Sequence, residues 1–174
     1  MKEAWGWIRD IAIAIVIAAV LLFFFKPIII QQESMQPNFY SKDYVIVSKQ
    51  AYNLFGDMEH EDIIVFKSSL LDDKGNEKYL IKRIIGLPGD TIEIKDGYVI
   101  RNGEMIDEPY VAEQGASGDM GEITVEDGKL FVMGDNRYVS QDSRSPVIGQ
   151  IDIDTVIGKV MLRIFPFSSI KYFG

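Results

Sequence analysis

The sequence contains no cysteine. Disulfide frameworks, thiolate metal sites and thiol nucleophiles are thereby excluded, and covalent chemistry must come from serine, threonine, lysine or a carboxylate. Histidine is almost as scarce. His60 is the single copy, within Glu59-His60-Glu61-Asp62, a run that reads as a solvated turn rather than as the base of a Ser-His-Asp triad. Basic residues are outnumbered, 18 against 26 acidic ones, for a formal net charge of -8. A surface that neutralises phosphates needs the opposite balance, so no nucleic-acid partner is expected. The 174 residues suit one compact domain with an appended segment.

What the chain has in abundance is an apolar run near its start. From Ile11 to Phe25 no polar residue interrupts it, and Ile28-Ile29-Ile30 resume it after Lys26-Pro27. An amphipathic surface helix would carry a polar face. A membrane span needs roughly 20 residues; Ile8 and the interfacial Trp5 and Trp7 extend the run on one side, and Lys26 can snorkel on the other. A cleaved secretory signal would show a small-x-small site after the apolar core, whereas Phe23-Phe24-Phe25-Lys26-Pro27 follows here, which favours a retained anchor. Lys2, Arg9 and the terminal amine, set against Lys26, bias the amino terminus to the inside. Residues 1–30 are therefore read as a cytoplasmic tip and membrane anchor, and residues 31–174 as an extracytoplasmic domain.

That domain reads as a succession of short strands: 44–48, 63–67, 79–85, 91–95, 98–101, 122–126, 130–133 and 155–165. Asp96-Gly97, Asn102-Gly103 and Asp127-Gly128 sit between β-prone runs, as tight hairpins with positive φ require. No long stretch after residue 31 shows helical periodicity. The expected class is mainly β, barrel-like, with a small inserted β region and one N-terminal transmembrane helix. Residues 114–121, rich in glycine and small polar side chains, read as a mobile loop.

Three segments hold chemistry-bearing residues. Ser34 follows the anchor in Gln31-Gln32-Glu33-Ser34-Met35-Gln36-Pro37-Asn38-Phe39, where Pro37 confines Gln36 to extended backbone; a lone serine there is by default a surface residue. Lys82 lies in Tyr79-Leu80-Ile81-Lys82-Arg83-Ile84-Ile85-Gly86, and strand alternation puts it on one face with Leu80 and Ile84. An ammonium among such neighbours is desolvated, which lowers its pKa and makes a neutral amine available as a base for a serine hydroxyl. The same segment also reads as a strand-edge Lys-Arg pair whose charges reach solvent. Residues 134–144 form a polar loop after an apolar strand; such a loop can orient a buried amine, and Asp142 can pair with an arginine.

Taken in order, the anchor, the Ser34-Met35-x-Pro37 box, the strand 62–66, the segment Lys82-Arg83-x-x-Gly86-x-Pro88-Gly89-Asp90 and the segment Gly134-Asp135-Asn136-x-x-x-Ser140-x-Asp142-Ser143-Arg144 resemble the boxes of type I (leader) signal peptidases. The resemblance covers nearly the whole chain. It implies that Ser34 is the nucleophile, Lys82 the general base and Ser140 a hydroxyl that positions the lysine amine. Arg83, Asp142 and Arg144 match the supporting charges, Asp135 a structural aspartate, and Met35 a residue lining a pocket for small side chains. It further implies a β-rich catalytic core with an insert over about 91–129 and cleavage after small residues at the first and third positions before the scissile bond; nothing in the sequence suggests a metal or organic cofactor. Its implied partners are preprotein signal peptides, the lipid bilayer and the secretion machinery, at a bacterial cytoplasmic membrane. The sequence departs from the pattern at Gln32, where the family usually has glycine or a hydroxyl residue two positions before the serine, and at Asn38-Phe39, where Thr-Leu is common. Gln32 touches the oxyanion hole, whose donors are then the Ser34 backbone N–H and the Gln32 side-chain amide. Two other readings stay open: a self-cleaving repressor-type Ser/Lys peptidase, which would carry a DNA-binding domain in place of the anchor, and a non-catalytic or dedicated peptidase-like membrane factor for surface-fibre assembly. Phe165-Pro166-Phe167 and Tyr172-Phe173 are candidates for contact with lipid headgroups, or else core residues.

Overall fold

An amino-terminal segment that is apolar on every side can leave water only as a helix, which closes its own backbone hydrogen bonds. In the computed structural model, which describes residues 2–54, 56–72 and 74–174, that helix is α1, Lys2–Phe24. Its stretch Trp5–Phe24 is long and apolar enough to cross a membrane, and none of it is buried inside the protein. The chain then enters the sheet without a linker. Residues 25–29, read from sequence as part of the anchor, form β1 (Phe25–Ile29) instead. Pro27 ends the helix but is tolerated on an edge strand, which β1 is.

The remaining elements are β2 (Tyr44–Ser48), the short helix α2 (Ala51–Leu54), β3 (Ile63–Leu71), β4 (Glu77–Gly86), β5 (Thr91–Lys95), β6 (Tyr98–Arg101), β7 (Glu104–Met105), β8 (Met120–Thr124), β9 (Lys129–Met133), β10 (Ile151–Asp152), β11 (Val156–Phe165) and β12 (Lys171–Tyr172). An eight-stranded sheet runs β1-β2-β11-β3-β4-β9-β10, with β12 added against β11. It curls until β1 faces the first half of β4 across a groove of about 700 Å³, lined by Lys26 to Gln32 on one side and Asn76 to Ile81 on the other. A smaller sheet, β7-β6-β5-β8, is built from the inserted residues. The mainly β class is thus as expected. The strands absent from the sequence reading other than β1, namely β7, β10 and β12, have two residues each, too few to show a period.

Period-two alternation sorts the core. On one face of the main sheet Ile63, Val65 and Ile81 pack with Ile30, Met35, Phe39, Val45, Val47 and Val160. Their neighbours Ile64, Phe66, Leu80 and Ile84 pack on the other with Leu130, Val132 and Ile151. Ile85, Phe131 and Met133 reach across to Ile92, Ile94 and Val99 and so join the two sheets.

Two local expectations are corrected. Asp96-Gly97 and Asn102-Gly103 do carry positive φ at both positions and close β5/β6 and β6/β7, but Asp127-Gly128 closes no hairpin. β8 pairs with β5 and β9 with β4, so that turn carries the chain from one sheet to the other, with positive φ at Gly128 only. Residues 34–38 form a turn rather than an extended segment. Phe39 N–H donates to Met35 O at 2.8 Å, and both side chains are fully buried, an apolar gain of roughly 1.5–3 kcal/mol each that decides the local conformation. The loop 114–121 is pinned at Ser117, which is buried and held by Arg137 Nη1 at 2.7 Å and Arg144 Nη1 at 3.0 Å.

Candidate active site

Lys82 stands midway along β4, opposite Ile64 of β3, where alternation turns it inward; it is 1% exposed. Ser34 is held by the turn that Met35 and Phe39 nail to the core, and is 6% exposed. The two meet: Lys82 Nζ lies 2.6 Å from Ser34 Oγ and 3.1 Å from Ile81 O. Burial pushes the amine down from its ordinary value to about 8, against the pull of Asp142 and Asp135 and with a small further push from Arg144. A neutral amine at that distance can accept the serine proton.

The backbone of Ser34 is positioned from the polar loop 134–144. Asn136 N–H donates to Ser34 O at 3.0 Å, and the Asn136 side chain reaches Glu33 O at 3.3 Å. Gly134 makes this approach feasible, since a Cβ there would lie 2.4 Å from Ser34 O and 2.3 Å from Ser140 Oγ, inside any tolerable contact. Gly134 N–H in turn donates to Asp142 at 2.9 Å. Asp142 also takes Arg144 Nε at 2.8 Å and Nη2 at 2.9 Å, and Arg144 ties the loop to Arg137 O.

Arg83, next to the lysine but on the opposite face, grips Asp135 with two bonds of 2.9 and 2.7 Å and donates to Glu61 O. Its guanidinium lies 4.0 Å from the centre of the Tyr110 ring. Asn38, one of the two departures from the family pattern, has a place here. Its amide donates to Asp135 at 2.8 Å and to Tyr110 O at 2.7 Å. A further buried pair, Arg137–Glu108, carries bonds to Ser117 and Tyr110. Glu108, Tyr110 and Ser117 belong to no motif, and the arginines they meet are 20 to 29 residues away, so no local pattern marks them. Gly134 was legible only as a letter of its box.

Not every expected placement is met. No hydrogen bond joins Ser140 to Lys82; among the described residues the Ser140 hydroxyl is the buried side-chain oxygen without a partner, the lysine amine being engaged by Ser34 and Ile81. Met35 lies in the core cluster and does not line the cleft. That cleft, about 410 Å³, is lined by Gln32, Ser34, Leu80, Lys82, Val139 and Gln141 among others. Gln32 therefore stands beside the dyad, within both the cleft and the groove that leads to it. Removing an oxyanion donor costs roughly a hundredfold in rate, so Gln32→Gly, which offers no replacement side-chain donor, is expected to lower kcat by about that factor if the Gln32 amide is a donor. An unchanged or raised kcat on steady-state assay would overturn the assignment of Gln32 as a donor. Among the described residues no group of three His, Asp or Glu side chains is arranged to hold a metal ion.

Comparison with known proteins matches residues 4–165 to the family described as signal peptidase, peptidase S26. A signal peptidase I from Bacillus licheniformis is 36% identical over 180 residues, 98% of this chain and 93% of the relative. A signal peptidase IB from Staphylococcus aureus is 37% identical over 189 residues, covering 98% and 94%. The crystal structure of a signal peptidase I from Enterococcus faecalis superposes with a TM-score of 0.50 at 32% identity, covering 59% of this chain and 96% of that one.

Proposed function

Because the chain belongs to the signal peptidase family, peptidase S26, and is a membrane-anchored serine endopeptidase by that membership and its apolar helix, we propose that it removes signal peptides from exported preproteins through a Ser34/Lys82 acyl-enzyme. The observation that carries this reading is the buried 2.6 Å contact between Lys82 Nζ and Ser34 Oγ. Ser34 Oγ attacks the scissile carbonyl while neutral Lys82 takes its proton. The oxyanion meets the Ser34 N–H and the Gln32 amide. Collapse of the tetrahedral adduct expels the new amino terminus, which receives the proton from Lys82, and water, deprotonated by the same amine, clears the acyl group.

The groove supplies the substrate path. β1 has one neighbour, β2, so its outer edge is open to an added strand. A substrate lying there as a strand points alternate side chains the same way, which is why two positions before the bond, the first and the third, face the protein together and must be small. We assign residues 1–24 to the anchor and its cytoplasmic tip, the remainder to a catalytic domain on the outer side of a bacterial cytoplasmic membrane, and residues 91–129 to an insert. Phe167 and Tyr172 are exposed and free to meet headgroups, whereas Phe173 stacks on Phe39 at 4.5 Å.

The test is processing of a purified preprotein by the full chain in vesicles. The expected result is cleavage at the predicted site, abolished when phenylalanine replaces the residue before the bond; failure on several preproteins would return the case to an assembly factor. The pH dependence should carry the signature of the base. With Lys82 near 8, kcat/KM should fall about tenfold per unit below that value as the amine takes up its proton, and level off above it. A flat profile between about pH 6 and 9 would remove Lys82 as the base.

A further inference from the structure

Every helix ends on carbonyls that lack an intrahelical partner, and α1 has no basic residue in its last turn to meet them. The next cation along the chain, Lys26, is turned elsewhere: its ammonium lies 4.6 Å from the centre of the Tyr79 ring on β4. The carbonyls are met from a distance in sequence. Lys49, in the turn after β2, donates its backbone N–H to Phe24 O at 2.9 Å and its Nζ to Leu22 O. One residue thus grips the last turn of the anchor at two points. Its neighbour Ser48 is paired with Phe25, the first residue of β1. The grip therefore spans the joint at which the membrane helix becomes the wall of the substrate groove.

We propose that Lys49 is a positioning residue that fixes the angle between α1 and β1, and through it the part of a membrane-held substrate that reaches Ser34. A signal peptide and α1 share one bilayer, so each degree of freedom at the Phe24–Phe25 joint lets the groove tilt relative to the substrate's apolar segment. Opposite charge at a helix C-terminus and a charge-assisted bond both restrain that joint. A short peptide free in solution carries no such constraint and is indifferent to the angle. Lys49 touches neither Ser34 nor the cleft beside it.

The inference rests on the peptidase reading, and the experiment separates the two. Full-length wild type, Lys49→Ala and Lys49→Arg are reconstituted in vesicles and assayed on a membrane-inserted preprotein and on a soluble peptide spanning the same cleavage site. Lys49→Ala should lower kcat/KM for the preprotein about fivefold, chiefly through KM, and leave the peptide within about twofold of wild type. Lys49→Arg, which keeps the charge and a donor, should restore the preprotein value. Equal losses on both substrates, an unchanged preprotein rate in Lys49→Ala, or no rescue by arginine would each overturn the proposal. Cleavage of neither substrate by wild type would overturn the peptidase reading and the proposal with it.

Discussion

Replacing Lys82 by methionine is expected to cut kcat by about ten-thousand-fold while making the protein harder to unfold. The first effect follows from the loss of the base that contacts Ser34 Oγ; what remains is the small rate supplied by binding and the oxyanion donors. Ser34→Ala should fall as far, and the double variant no further, because the pair acts as a unit. The second effect follows from burial. A depression from 10.5 to about 8 means that the ammonium costs the folded state roughly 3 kcal/mol, at 1.36 kcal/mol per unit. Below about pH 8 both folded and unfolded chains carry the proton and the cost is present in full. Between about 8 and 10.5 the unfolded chain binds more protons than the folded one, so wild-type stability climbs with pH until the penalty is gone. Methionine fills similar volume without charge. Thermal midpoints of the detergent-solubilised protein should therefore rise in Lys82→Met at pH 6–7, with the gain shrinking towards about pH 10. Equal midpoints at low pH, or retained turnover, would contradict the placement of the amine as a buried base.

Gly134→Ala should lower kcat about a hundredfold, the scale of a 1 Å misplacement of a reacting group, with circular dichroism unchanged. The added methyl would sit 2.4 Å from Ser34 O and 2.3 Å from Ser140 Oγ. The Ser140 hydroxyl can rotate away, but Ser140 Cβ, 2.7 Å from the added methyl, cannot, and the Ser34 carbonyl is backbone and is also held by Asn136. The turn must therefore shift, and Oγ with it. Overpacking of this kind costs about 1–3 kcal/mol, which the rest of the core absorbs. A variant with wild-type kcat would show that the carbonyl can relax without moving the hydroxyl; a variant that unfolds would show that the contact supports the whole domain. Paired measurement of kcat and thermal midpoint distinguishes these outcomes.

Sequence patterns announce some of this architecture and hide the rest. Short β-prone runs bounded by turn residues are legible, so 44–48 in the main sheet and 91–95 and 98–101 in the smaller one coincide with β2, β5 and β6 to the residue. Alternation reports which face a side chain takes but carries no distance, and Ser34 and Lys82 are 48 residues apart. Only the ordered boxes proposed their meeting. Composition marks 114–121 as a glycine-rich loop but does not announce that Ser117 within it is a partner for two arginines. Partners such as Glu108 for Arg137 are set by topology alone, since the small sheet must fold back on the loop before they can touch.

The floor beneath the nucleophile has a consequence for biosynthesis. Ser34 emerges early from the ribosome, but the groups that close over its turn come late. Arg163 donates to Asn38 O at 2.7 Å, and the ring of Phe173 stacks on Phe39. Until those residues have been translated, the turn lacks part of the packing on its core side. On the proposed peptidase reading, the Ser34–Lys82 contact is expected to be completed only when β11 and the residues after it have docked.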